Sequence, residues 1–188
     1  MATSYVRPRP PQVSYLVSGS TSFTDNMVQA GQKYKSMLLE WKRSPPTEEE
    51  AQNLQLNAAL GKVYRLEILR YVEEVPISVT TSVLPEAAVP GMDQYLGEFH
   101  SLYALLETHY HYRPVRLWTV FQATWAGAKD VAHLRMPVEV PILRSERLMG
   151  HPVGHPVEYA ITRMRGDMSR LRVEFGSVDL CEGRWEAK

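Results

Sequence analysis

Residues 63–85 read VYRLEILRYVEEVPISVTTSVLP. Val63, Arg65, Glu67 and Leu69 alternate with Tyr64, Leu66, Ile68 and Arg70, the period-two pattern of a strand. A second strand follows a turn at Glu73-Glu74, so the stretch is predicted as a β-hairpin. A second hairpin is predicted in VPILRSERLMGHPVGHPVEYAITRMRG, turning at GHPVGHP. Two hairpins imply a mainly antiparallel sheet, and helical segments between them make the fold class α+β, with helices flanking the sheet.

Tyr34 to Trp41 reads as a further strand, and RLWTVFQATWA is a strongly β-prone run. In SRLRVEF, Leu171, Val173 and Phe175 face one side and Arg170, Arg172 and Glu174 the other, so it is expected to close the sheet beside EYAITRMR. Four helices are expected. Thr24 can cap a short one through Met27 and Val28 that Gly31 ends. Thr47 with Glu50 forms a capping box for a second, with Ala51, Leu54 and Ala58 as its buried stripe. HSLYALLETHY buries Leu102, Leu105 and Leu106 with Tyr103, and AKDVAHLRM turns Val131 and Leu134 inward.

AQNLQL and VAHLRM each precede a strand, a turn and a second strand. Leu54 and Leu56 match Leu134 and Met136, and Arg70 and Arg147 lie late in the strand that follows. The pattern suggests an internally duplicated helix-strand-strand unit.

With 188 residues and 44% hydrophobic content, the chain supports one compact domain. Residues 1–20, with the proline-rich RPRPPQ, are expected to form an extended arm, residues 21–176 the domain, and residues 177–188 a tail. The formal net charge is zero, without the basic excess of a nucleic-acid surface. There is no apolar run long enough for a membrane span and no secretory signal, and the lone Cys181 fits a reducing cytosol; a cytoplasmic location is expected.

No catalytic motif is present: there is no G-x-S-x-G, P-loop, G-x-G-x-x-G or H-E-x-x-H. The pairs His109/His111 and His151/His155 lack a cysteine or carboxylate cluster at ligand spacing, so neither a metal nor a cofactor is expected. What stands out is a set of anion-friendly groups at element ends. Thr21 and Ser22 precede one helix, Ser101 opens another with Tyr103 beside it, and Arg70 and Arg165 sit near strand ends. Each also has a structural reading, as a helix cap or a surface ion pair.

The order TSFTDNM, EEEAQNLQL, VYRLEILRYVEEVPISVTTSVLP, SLYALLE, AKDVAHL, PILRSER, VEYAITRMRGD resembles the effector-binding (UTRA) domain of the HutC branch of GntR-type transcription regulators, across residues 12–175. RPRP before TSFTDNM looks nearest to the phosphonate-metabolism regulators. The resemblance implies a chorismate-lyase-like fold, homodimerisation, and no enzymatic activity. DNA would be bound only through an N-terminal winged helix-turn-helix, expected to have been cut away just before TSYV or lost by natural truncation. It also implies a small anionic effector of the phosphate, phosphonate or carboxylate class. By the family pattern, Ser22 and Phe23 of TSF, Arg70, Ser101 and Tyr103 fall at ligand-binding positions. Ile68 stands where the first arginine of the family's R-x-R pair would be, and Thr80 where a sugar-contacting glutamate would be, so a hexosamine phosphate is not expected. Glu158 and Arg165 match the polar residues of the final strand, with Arg165 free to serve either a ligand or Asp167. The alternative reading is a chorismate-lyase-like enzyme in which Arg70, Arg165 and Glu158 handle a small dicarboxylate; the fold alone permits both.

Overall fold

The computed structural model describes residues 12–19, 21–57 and 61–174. The proline-rich arm, Ala58, Phe175, Cys181 and the tail lie outside the described residues. A six-stranded antiparallel sheet runs in the order β2-β3-β4-β7-β6-β5. Its strands are β2 (Tyr34–Ser44), β3 (Val63–Val72), β4 (Val75–Pro85), β5 (Val115–Thr124), β6 (Ile142–Gly150) and β7 (Pro156–Arg165). The helices are α1 (Phe23–Gln29), α2 (Glu48–Asn53), α3 (Leu102–Tyr110) and α4 (Ala128–Leu134).

The chain runs α1-β2-α2-β3-β4 and then α3-β5-α4-β6-β7, so the strand order is a palindrome about the β4–β7 seam. The doubling is wider than the helix-strand-strand unit expected from sequence, because α1 and β2 also have counterparts in α3 and β5. Register makes the correspondence residue-specific. Thr80 lies opposite Thr162 across the seam, Ile68 lies opposite Thr80, and Ser145 opposite Thr162. Arg70 and Arg147 each stand two residues further along and are therefore equivalent.

The hairpin turn falls at Glu73-Glu74, both with positive φ (46° and 65°), the backbone that a twisted two-residue connection requires. The second hairpin turns between Gly150 and Pro156, where Gly154 has φ 106°. The Thr47–Glu50 capping box forms, and Ala51 and Leu54 are buried beneath α2.

Three local expectations are corrected. The cap of α1 is Ser22 rather than Thr24, because Asp25 then sits at the third helical position and closes a reciprocal box. Ser22 Oγ accepts from the Asp25 N–H (3.1 Å) and Asp25 Oδ2 accepts from the Ser22 N–H (2.7 Å). In the same helix Val28 is exposed while Asn26 and Met27 are buried. The last part of the presumed arm is a strand, β1 (Val13–Val17), and it pairs in parallel with β8 (Ser169–Val173). SRLRVEF therefore does not close the main sheet beside β7; it forms a separate two-stranded sheet with β1. Val13 and Tyr15 drive this pairing by packing with Met27, Ile77, Met164 and Met168.

The sheet is covered on both faces. α2 packs over Val63, Val83 and Tyr159, and α4 over Leu69, Val79 and Ile142. On the opposite face, α3 covers Tyr64, Leu66 and Ile68, while α1 and β1 cover Val72 and Ile77. Between these last two apolar clusters the sheet face stays open.

Candidate functional site

The opening between α1, β1, α3 and the sheet is a cavity of about 830 Å³, its open mouth included. It is floored by side chains pointing the same way from β3, β4, β6 and β7: Ile68, Arg70, Ser78, Ser145, Arg147, Thr162 and Met164. Its rim is built from Ser22 and Phe23 at the start of α1, Ser101 and Tyr103 at the start of α3, Arg116 of β5, and Tyr15 of β1. Ser101 caps α3 by accepting from the Ala104 N–H, so a 9-residue helix opens toward the cavity.

The polar floor is one connected chain across the seam. Arg70 Nη1 donates to Thr80 Oγ1; the Thr80 and Thr162 hydroxyls share a hydrogen bond at 2.9 Å; Arg147 Nη1 donates to Thr162 Oγ1 at 3.0 Å. Arg147 also reaches Glu158 Oε1 at 3.3 Å, and that fully buried carboxylate accepts from Ser82 (2.7 Å) and Tyr103 (3.1 Å). Arg116 is held by carbonyls rather than a carboxylate: Nε donates to Ser18 O at 2.9 Å and Nη2 to Thr21 O at 3.2 Å. Asn26 ties the same segment down, its Oδ1 accepting from the Leu16 N–H at 2.6 Å and its amide donating to Leu16 O.

Three guanidiniums thus face the cavity, and among the described residues no carboxylate lines it. Burial and the neighbouring Arg147 charge bring Arg70 down to about 10 from the ordinary arginine value. Arg116 is lowered in the same way, by burial and then by Arg147. Arg147 behaves oppositely: burial works against its charge, but the Glu158 carboxylate outweighs this and the guanidinium holds its proton more tightly than usual. Burial, reinforced by Glu158, pushes the Tyr103 hydroxyl well above its ordinary value. Arg70 stacks on Phe23, its guanidinium carbon 5.2 Å from the ring centroid, which fixes the fork without cancelling its charge.

Of the residues singled out from sequence, Ser22, Phe23, Arg70, Ser101 and Tyr103 line the cavity. Thr80 and Glu158 lie directly behind the lining, both fully buried, where they hold Arg70 and Arg147. Arg165 is elsewhere. It forks onto Asp167 (3.1 and 2.7 Å) and reaches Leu134 O, so it fastens the β7–β8 turn to the end of α4. Arg116, Arg147, Ser145 and Tyr15 were not singled out as site residues. For Arg147 the signal existed, in its repeat position matching Arg70. Among the described residues no group of His, Cys, Asp and Glu could hold a metal ion.

A profile of the UTRA domain family matches residues 29–170. The chain is a member of the UTRA domain family. This UTRA domain is 25% identical over 154 residues to the HTH-type transcriptional regulator GgaR of Escherichia coli K12, covering 82% of this chain and 60% of that protein. The chain therefore spans about 60% of the length of that curated relative. Its fold matches the effector domain of PhnF from Mycobacterium smegmatis with a TM-score of 0.80 at 19% identity, covering 88% of this chain and 100% of the other. A GntR-family transcriptional regulator from Enterococcus faecalis matches with a TM-score of 0.64 at 22% identity, over 74% of this chain and 99% of that one. At such identities the structural likeness establishes the UTRA fold. It agrees with the expected α+β architecture.

Proposed function

We propose that this UTRA domain is the effector-sensing part of a GntR-type transcription regulator, and that its cavity binds a small anion of the phosphate, phosphonate or carboxylate class. One observation carries the reading: Arg70 is a half-buried guanidinium, depressed by desolvation and by the Arg147 charge, that faces an open cavity and has no carboxylate partner among the described residues. A partly desolvated cation without a counter-charge is costly, and an anionic ligand supplies the missing charge. A fixed bidentate fork beside serine and tyrosine hydroxyls suits a phosphoryl or carboxyl group.

The route to DNA runs through β1. Tyr15, Leu16 and Val17 form one wall of the cavity, and Arg116 and Asn26 fasten this segment to the rim. A ligand that favours one placement of β1 over another shifts the population of an attached DNA-binding segment, which in this reading lies upstream in the full-length protein. Self-association belongs to the same reading. β5 is an edge of the sheet that exposes Leu117, Val120 and Phe121 and carries one charged residue, Arg116, itself turned into the cavity; the opposite edge, β2, carries Lys35, Glu40, Lys42 and Arg43. An open, uncharged edge favours pairing with a second copy of this chain.

This reading has the domain bind rather than transform its ligand, in keeping with the regulators among its relatives. Calorimetric titration with phosphate, phosphonates and carboxylates tests it. Binding that is lost in Arg70→Ala supports the site, and equal binding by that variant removes it. Formation of 4-hydroxybenzoate from chorismate would replace it with the enzymatic alternative.

A further inference from the structure

The palindrome of the sheet places Arg70 and its equivalent Arg147 in one cavity. We propose that the site takes a compact ligand with two anionic groups, one held by Arg70 and the other by Arg147 together with Arg116. The proposal rests on the anion-sensing reading above and narrows its ligand class.

Arg70 and Arg147 occupy the same position in the two halves of the sheet, on the same face, and each donates to the central threonine of its own half. The threonines touch at 2.9 Å, so the guanidiniums flank a short polar bridge instead of converging on one point. Like charges so placed repel: after burial, the Arg147 charge is the next cause of the lowered affinity of Arg70 for its proton. Glu158 balances one of the three guanidiniums from behind the lining, which leaves an excess of two positive charges at the cavity. A single anionic group on Arg70 leaves Arg116 uncompensated; two groups match the excess.

An unpartnered polar atom marks the Arg147 side. The Nε of Arg147 is buried, belongs to a cavity-lining side chain, and has no hydrogen-bond partner. Buried polar groups in native proteins are nearly always satisfied, so this orphan marks a missing acceptor beside Arg147, apart from the one Arg70 would take. An anion on Arg147 Nε would supply it.

The test compares methylphosphonate with methylenediphosphonate, which share a head group and differ in carrying one or two. Acetate and succinate repeat the comparison for carboxylates. Titration calorimetry on the parent chain is expected to show the two-headed member of at least one series binding about tenfold or more tighter than its one-headed partner, since a second charge-assisted contact is added. Arg147→Gln is expected to collapse that ratio toward unity while one-headed binding persists, and Arg70→Gln to weaken both members. Equal affinities within both series overturn the two-anion site and leave a single-anion sensor standing. No binding by any of the four compounds overturns both. Should Arg147→Gln fail to fold, the parent ratio decides alone.

Discussion

Thr80 and Thr162 face each other across the β4–β7 seam with their hydroxyls 2.9 Å apart, and each is the acceptor for an arginine of its own half. Both residues are buried: Thr80 is 0% and Thr162 6% exposed. Replacing Thr80 with valine keeps the shape and leaves a guanidinium donor and the Thr162 hydroxyl short of a partner. Thr80→Val is expected to lower stability by about 1–3 kcal/mol, the cost of stranding buried polar groups. Urea unfolding, with an unchanged m-value, measures it.

Arg70 gives a sharper contrast between stability and binding. Its folded-state affinity for its proton is depressed to about 10, so the charged form is disfavoured by the fold. The sign is that of a base depressed on folding: between about 10 and its ordinary value the unfolded chain binds more protons, so stability rises with pH there, and at neutral pH the charge is a burden. Arg70→Met is therefore expected to raise the melting temperature of the unliganded domain while abolishing anion-induced stabilisation. Thermal melts with and without phosphate read both effects; a fall in melting temperature without ligand would show that Arg70 is structural.

Arg165 should behave in the opposite manner. Its fork onto Asp167 and its contact with Leu134 O lie away from the cavity lining, and Gly166 between them has no room for a side chain, since a Cβ would come within 2.5 Å of Pro141 O. Arg165→Ala is expected to destabilise by roughly 1–3 kcal/mol with anion affinity retained, and Gly166→Ala by a similar or larger amount. Calorimetric affinity alongside chemical denaturation separates the two roles.

Acid should weaken the fold through Glu50. Burial alone would raise its proton affinity, but Arg65 and the Thr47 cap outweigh this and hold the carboxyl below its ordinary value. Such a group contributes stability that is present above its unfolded value and is lost as pH falls through that value toward the lower folded one. Parent stability is expected to decline as pH drops below about 4.5, and Glu50→Gln to show a lower plateau at neutral pH with a shallower decline. Melting temperatures across that range check the slope.

The sheet was legible in the sequence because local rules agreed there. Alternation in β3 and the compact turn at Glu73-Glu74 both demand a hairpin, and the Thr47–Glu50 spacing demands a capped helix. The α1 cap was ambiguous because Thr21, Ser22 and Thr24 all offer a hydroxyl, and only the reciprocal bond with Asp25 selects Ser22. β1 was hidden because VSYLV follows a proline-rich run and its partner lies more than 150 residues away, a pairing that no local pattern encodes. The site was half visible for the same reason. Arg70, Ser22 and Ser101 stand at element ends, and Arg147 was marked only by its repeat match to Arg70; Arg116 becomes a site residue only once the palindromic strand order brings β5 around to face α1. EYAITRMR carries polar residues because β7 is a central strand. Glu158 and Thr162 support the cavity floor on one face, while on the other Arg163 bridges Glu67 and Asp130.

The Arg70 guanidinium is proposed as the contact for an anion bound in this cavity. Calorimetric titration of phosphate and methylphosphonate into the parent and Arg70→Gln, at fixed low ionic strength, decides this. Saturable one-to-one binding by the parent with at least about a tenfold loss in the variant is the expected result, in line with removal of one charge-assisted contact. Equal affinity in parent and variant would contradict it.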